Sequence, residues 1–165
     1  MKIRPPFKTH GGKAYLAQWI IEHFPADYEQ YAYIEPYIGG GSVLLNKNPS
    51  KMEIINDLNL GTIQVYRALR DNPEKFITAL KKTRYCKKNF EQAKNTKTYK
   101  NYLEHAYNEI VTRRMSRGGL GEAFAFSDRL RGGEPGDIHA WKTIIKTFPD
   151  ISNRCNKSKY SIKTL

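Results

Sequence analysis

Apolar residues recur every three or four positions in several stretches of this chain, which is the spacing of amphipathic helices. The first such stretch contains Leu16, Trp19, Ile20 and Phe24 and stops at Pro25. Two short runs of β-branched and aromatic residues are instead typical of buried strands. The pattern predicts strands over 31–35 and 52–55 and helices over 14–24, 43–46, 60–69, 73–80, 88–115 and 137–147.

The order of these elements predicts the fold class. Strand, helix, strand and helix follow one another, which is typical of a parallel α/β sheet, and a helical part comes next. Two strands are fewer than such a sheet usually contains, so we expect an open edge that a partner chain or a second copy could cover. Residues 117–135 are glycine-rich and irregular, and no secondary structure is predicted after Asp150.

The loop after the first strand carries the first candidate chemistry. It reads Glu35-Pro36-Tyr37-Ile38-Gly39-Gly40-Gly41-Ser42. Glycines allow backbone to turn sharply or to lie against a ligand, and nucleotide-like cofactors bind at this position of parallel α/β folds. Asp57 follows the second strand, 18 residues after Gly39. An acid at this place accepts hydrogen bonds from ribose hydroxyls, or alternatively caps the next helix.

A second candidate site precedes the first predicted helix. Gly11-Gly12-Lys13 places two flexible amides and an ammonium group directly before it. This arrangement favours a bound carboxylate or phosphate. The alternative is a plain helix start with an exposed lysine.

The charge of the chain indicates a polyanionic partner. Its 165 residues contain 28 Lys and Arg against 16 Asp and Glu, a formal charge of +12. Between Lys81 and Arg117, eleven basic residues face three acidic ones. Aromatic residues are interleaved with them, so this stretch could neutralise phosphates and stack on bases. The alternative is a solvated helical face with its tyrosines in the core. The interleaved aromatics are Tyr85, Phe90, Tyr99, Tyr102 and Tyr107.

The cysteine content and the N-terminus predict a cytoplasmic protein. Cys86 and Cys155 are far apart and match no zinc-ligand spacing, so reduced thiols are expected. Residues 1–6 lack the apolar stretch of a signal peptide, and no apolar run reaches membrane-spanning length.

Several motifs together resemble the D12 class of adenine-N6 DNA methyltransferases, the Dam-like family. They are Pro5-Pro6-Phe7, the Gly-Gly-Lys segment, residues 33–42 and residues 55–59. The likeness continues through 113–121 and 126–130 and covers about residues 5–153. It implies a partial Rossmann-like S-adenosylmethionine-dependent methyltransferase fold with an inserted, mainly helical DNA-recognition module. The implied parts are 1–82 for the cofactor, 83–150 for double-stranded DNA and 151–165 as an aberrant polar tail.

The resemblance also assigns roles to residues. Gly11, Gly12 and Lys13 would hold the methionine end of S-adenosylmethionine, and Asp57 would hold its ribose. The pocket floor would consist of Glu35, Pro36, Tyr37, Gly39 and Gly40, with Tyr37 near the adenine. The implied DNA-binding residues are Lys87, Lys88, Arg113, Arg114, Arg117, Arg129 and Arg131.

The catalytic Asp-Pro-Pro-Tyr motif of the family does not occur in these 165 residues. Arg4-Pro5-Pro6-Phe7 has a basic residue where the acid would accept a hydrogen bond from the amino group of a flipped adenine, so no catalytic residue is assigned. Three hypotheses follow. The chain is a fragment with little or no methyl transfer of its own, half of a split enzyme, or a non-catalytic DNA-binding protein. A phosphate-binding protein is a weaker fourth.

Overall fold

A parallel sheet forms one part of the molecule. A computed structural model describes residues 2–9, 11–157 and 160–162. Strands β1 (Ala32–Glu35) and β2 (Met52–Ile55) pair in parallel, with Ile34 opposite Ile54. Two two-residue strands, β3 (Leu130–Arg131) and β4 (Glu134–Pro135), form a separate hairpin. A further strand, β5 (Tyr160–Ile162), pairs in parallel with the other side of β2, which gives the order β1-β2-β5.

Eight α-helices lie in the described part of the chain. In order they are α1 (Ala17–Glu22), α2 (Ser42–Asn46), α3 (Leu60–Asp71), α4 (Pro73–Lys82), α5 (Lys87–Asn95), α6 (Tyr102–Arg114), α7 (Gly136–Lys146) and α8 (Phe148–Asn156). The predicted helix over 88–115 is therefore two helices. Asn101 starts the second of them by accepting a hydrogen bond from the Glu104 amide at 3.0 Å, a typical N-cap contact.

Helix α3 lies at the centre of the core. Its buried face packs against α6 and α8, so residues from both sides of the predicted boundary at 82/83 share one apolar cluster. The buried side chains of α3 include Ile63, Val65, Tyr66 and Leu69. Burial of such side chains contributes roughly 1.5–3 kcal/mol each. The parts on the two sides of this predicted boundary therefore form one packing unit.

The prediction of a structureless tail after Asp150 is wrong. Helix α8 continues to Asn156, and its Ile151 and Cys155 are buried one helical turn apart. The hydropathy pattern did not predict this helix, because its buried side includes a basic residue, Arg154. In the structure that charge is neutralised by Glu53 of β2. Strand β5 then adds a third strand where two were predicted. Residues 158, 159 and 163–165 lie outside the described part.

The part of the chain that the structure describes contains neither a membrane-spanning helix nor a cluster of metal-ligating side chains. None of its helices has the length and apolar character needed to cross a bilayer. None of its groupings of His, Cys, Asp and Glu could hold a metal ion. Cys86 is a partly exposed free thiol, and Cys155 is buried.

Candidate functional site

The glycine loop is fixed at the carboxyl end of β1. The Ile38 amide donates to the Asn56 carbonyl at 2.9 Å, and the Gly41 amide donates to the Ile38 carbonyl at 2.7 Å. Gly39 and Gly41 have φ values of 49° and 67°, in the left-handed region that favours glycine. The loop therefore forms a tight turn leading directly into α2.

A buried tyrosine explains why residue 41 is glycine. The hydroxyl of Tyr66, on α3, donates to the Gly40 carbonyl at 2.7 Å. A Cβ atom at Gly41 would lie 2.1 Å from that hydroxyl oxygen. Side chains at this position are therefore excluded by steric overlap as well as by backbone conformation. This role of Tyr66 was not predicted, since its spacing in α3 indicates only a core residue.

Asp57 joins the loop to the end of β2. Its Oδ2 accepts a hydrogen bond from the Gly39 amide at 2.7 Å, and its Oδ1 accepts one from the Asn59 amide at 2.9 Å. The residue that caps α3 is Asn59, whose side-chain oxygen accepts from the Thr62 amide at 3.3 Å. The alternative interpretation of Asp57 as the helix cap is thus wrong. Its partly exposed carboxylate retains lone pairs for further donors.

The N-terminal segment packs against the same loop through Thr9. A Cβ atom at Gly12 would lie 3.0 Å from Thr9 Oγ1, and one at Gly39 would lie 3.7 Å from it. Nearby, the Lys13 ammonium donates to the Gly11 carbonyl at 2.7 Å and is exposed. The structure therefore brings the Gly-Gly-Lys segment, the glycine loop and Asp57 together, as the sequence predicted. Thr9, which joins two of them, was missed.

Glu35 supports the loop from its inner side. Its carboxylate accepts a hydrogen bond from the Tyr33 hydroxyl at 2.9 Å and is also hydrogen-bonded by the Leu44 amide in the first turn of α2. Burial raises the pKa of Glu35 to about 7, although these hydrogen bonds oppose the shift. Burial also raises the pKa of Tyr33. These contacts show a structural role for Glu35, and its place in a cofactor pocket stays a prediction.

We expect Glu35→Gln to change how stability depends on pH. The raised pKa means that the folded protein binds this proton more tightly than the unfolded chain does. Ionisation therefore costs the parent stability as pH rises from about 4.5 to about 7, by roughly 2 kcal/mol for a partly exposed group. The variant lacks this loss. Denaturant unfolding between about pH 4 and pH 8 measures it, and a parent–variant difference that stays constant with pH would contradict the assignment.

The other predicted floor residues have different surroundings. Tyr37 is 73 % exposed, so its ring is available to a ligand. The Pro36 carbonyl accepts a hydrogen bond from the Asn56 side chain at 3.2 Å. Pro36 therefore fixes the turn by its backbone, whereas Tyr37 presents a free aromatic surface beside the loop.

The predicted DNA-binding residues fall into two groups. Five are exposed, namely Lys87, Lys88, Arg117, Arg129 and Arg131. The other two make contacts inside the chain. Arg113 pairs with Glu109 at 2.5 Å, and Arg114 donates from Nε to the Pro6 carbonyl at 2.6 Å. Burial lowers the pKa of Arg114 to about 10. Both arginines thus form stabilising contacts within the chain, which the sequence did not indicate. Their contact with DNA stays a prediction.

A buried charge cluster was also missed. The fully buried carboxylate of Glu53 contacts the Lys47 ammonium and receives two hydrogen bonds from Arg154, at 2.8 and 3.0 Å. Burial lowers the pKa of Lys47. The one feature of the sequence that indicates this cluster is the acid between apolar residues in Met52-Glu53-Ile54-Ile55. The cluster links Lys47, the residue after α2, to β2 and α8.

A glycine loop after a parallel strand, with an acid after the neighbouring strand, defines an α/β protein with a candidate nucleotide-type site. The chain belongs to the D12 class N6 adenine-specific DNA methyltransferase family, whose family model matches residues 10–119. The resemblance noted in the sequence is thereby confirmed.

Curated relatives agree with this family. A type II methyltransferase of Lactococcus lactis subsp. cremoris, M1.LlaDCHI, is 39% identical over 80 residues, which are 48% of this chain and 27% of the relative. M.MjaIII of Methanocaldococcus jannaschii is 32% identical over 90 residues, 51% of this chain and 31% of the relative. The DNA adenine methylase of Vibrio cholerae serotype O1 is 33% identical over 81 residues, 49% and 28% respectively. The matched part thus spans less than a third of each relative.

Proposed function

We propose that this chain binds S-adenosylmethionine and double-stranded DNA as the cofactor and DNA-recognition part of an adenine-N6 DNA methyltransferase. The observation that carries the proposal is the bond between Asp57 and the Gly39 amide, which holds an acid beside a glycine loop at the carboxyl ends of two parallel strands. Ligands of open α/β sheets bind at this end. The family and the three relatives support the same activity.

The residues present fit this cofactor chemically. Asp57 offers carboxylate lone pairs for ribose hydroxyls, and the exposed ring of Tyr37 offers a surface for adenine. Lys13 offers a cation for the carboxylate of the methionine end. A Cβ atom at Gly11 would meet only the Lys13 ammonium, at 4.0 Å, so space remains there for a ligand. The bound cofactor would supply an electrophilic methyl group, and these residues would bind and orient it.

Asp57→Ala is expected to weaken S-adenosylmethionine binding by about ten- to a hundredfold. Hydrogen bonds to a charged group contribute about 1.5–3 kcal/mol, and the variant also loses the bond that fixes Gly39. Isothermal titration calorimetry of the parent and the variant measures the change. Asp128→Ala, at an exposed position of the irregular loop, is the matched control and should bind like the parent. Equal affinity of the parent and Asp57→Ala, or no binding by the parent, would contradict the proposed cofactor site.

DNA binding is expected to depend on the exposed arginines at the β3–β4 hairpin. Arg129→Ala with Arg131→Ala should weaken duplex binding and reduce the slope of log affinity against log salt, by about one for each phosphate that the variant no longer neutralises. Fluorescence anisotropy with a labelled duplex measures both. Lys51 is an exposed cation directly before β2, away from the β3–β4 hairpin. Lys51→Ala should change neither the affinity for the duplex nor the slope with salt. Salt-independent binding would count against a phosphate-contacting surface.

The outer side of β1 supports a second proposal. Within the described residues, β1 pairs only with β2, and Tyr31 and Ile34 beside that edge are 61 % and 58 % exposed. We propose that a strand of a partner chain, or of a second copy, covers this edge. The site would be completed on the far side of the glycine loop, and methyl transfer would require this added strand.

Incorporation of labelled methyl groups into DNA by the purified chain alone would contradict this requirement. DNA binding without cofactor binding would instead favour a non-catalytic DNA-binding protein.

A further inference from the structure

A cavity of about 540 Å³ lies in the helical module, apart from the candidate cofactor site. It opens between the segment joining α4 to α5 and one side of α7, and its walls are mainly apolar. Tyr85 and Trp141 meet edge to face there, with ring centroids 6.3 Å apart, and Ile138 and Ile145 continue the surface. The volume is in the range of small-molecule sites. None of the residues assigned to the cofactor lines it.

The rim of this cavity is positively charged. Lys81 and Arg84 lie on one side, and Lys142 and Lys146 lie on the other. Lys142 pairs with Glu134, whereas the other three have no acidic partner in the part of the chain that the structure describes. An apolar floor beneath unpaired cations favours a ligand that carries a flat apolar group next to a negative charge.

Phe126 extends the aromatic surface to the mouth of the cavity. Its side chain is 57 % exposed. The backbone next to it is fixed, because both the carbonyl and the amide of Ala125 are hydrogen-bonded. The Tyr85 hydroxyl donates to the Ala125 carbonyl at 2.7 Å, and the Ala125 amide donates to the Met115 carbonyl at 2.8 Å. An exposed ring on a fixed backbone is suited to stacking, because little conformational freedom is lost when it binds.

We propose that this cavity receives one unstacked base of a DNA strand, with the adjoining phosphate held by the rim cations. The proposal rests on the proposed DNA binding and adds to it a second contact, separate from the cofactor site. Stacking of a base on aromatic side chains contributes about 1–3 kcal/mol and tolerates any base, and the cations supply the phosphate contact. An acidic peptide is the other class of ligand with matching charge, and the experiment distinguishes the two.

The test compares two labelled duplexes that differ by one unpaired base. The duplex with the unpaired base should bind the parent at least about fivefold more tightly than the fully paired one. It should also slow alkylation of Cys86, which lines the cavity, while buried Cys155 serves as the internal reference. In a Trp19→Phe background, Trp141 is the remaining tryptophan and its fluorescence should change on binding.

Phe126→Ala should remove the preference for the unpaired base and leave affinity for the paired duplex within about twofold. Leu120→Ala is a matched control, because Leu120 lies in the same loop region and is equally exposed. Equal affinity for both duplexes without protection of Cys86 would overturn the cavity proposal and leave DNA binding intact. Failure to bind either duplex would overturn both. Protection of Cys86 by an acidic, tryptophan-containing peptide but not by the unpaired base would show a peptide site and overturn the proposal.

Discussion

Glu53→Gln is expected to lower the free energy of unfolding by about 3–5 kcal/mol, the loss typical of a buried ion pair from which one partner is removed. Glu53 is the anion between two buried cations, Lys47 and Arg154. The amide cannot neutralise either of them. Both cations would then stay buried without the carboxylate that contacts them. The effect is large because the remaining partners stay buried.

Urea unfolding of the parent and the variant measures this loss. Glu91→Gln is the control, because its partner Lys87 lies 3.6 Å away on an exposed helix face, and such pairs contribute less than about 1 kcal/mol. Replacing all three cluster residues by Leu or Met should restore most of the stability, since apolar groups of similar volume need no counter-charge. A cost for Glu53→Gln no greater than that for Glu91→Gln would show that α8 is not fixed through this cluster.

Gly41→Ala is expected to destabilise the chain by about 3 kcal/mol or more, for two separate reasons. The left-handed backbone conformation costs a non-glycine residue roughly 1–2 kcal/mol. The new methyl group would also lie 2.1 Å from the Tyr66 hydroxyl oxygen and 2.8 Å from Tyr66 Cζ, so the loop or α3 must shift. Such a shift breaks the hydrogen bond from Tyr66 to Gly40.

Gly133→Ala separates the two reasons. Gly133 also has a positive φ, 81°, but a Cβ atom there would meet no heavy atom within 4 Å. It should therefore lose only the conformational part, roughly 1–2 kcal/mol by thermal or urea unfolding. Adding Tyr66→Phe to Gly41→Ala should recover part of the loss by removing the nearest atom. Equal losses for the two glycine variants would contradict the steric role of Tyr66.

Local patterns predicted most of the elements because they depend on residues near in sequence. The strand Met52–Ile55 was predicted with its observed bounds, and Pro73 begins α4 as expected. The meeting of Gly39 and Asp57 was also predictable, since adjacent parallel strands bring their carboxyl ends to one edge. The helix at 148–156 was missed because its buried face contains an arginine, which hydropathy counts as polar.

The contacts that escaped prediction join residues far apart in sequence. Arg154 and Glu53 are 101 positions apart, and Arg114 lies 108 positions from the Pro6 carbonyl that it contacts. The local sequence around an arginine does not show whether its side chain contacts DNA or forms a contact inside the protein. The cavity next to Trp141 is similar, because its walls come from three separate parts of the chain, at 81–86, at Phe126 and at 138–146.

The sequence by itself determined the class of the protein, the glycine loop, the position of Asp57 and the basic character of the helical module. These depend on residue type and local spacing, which a single chain displays directly. Tertiary structure alone decided which charges are exposed, that β5 adds a third strand to the sheet, and that Tyr66 limits residue 41 to glycine. Each of these follows from packing, since burial brings distant side chains together and only then sets the cost of a charge or a methyl group.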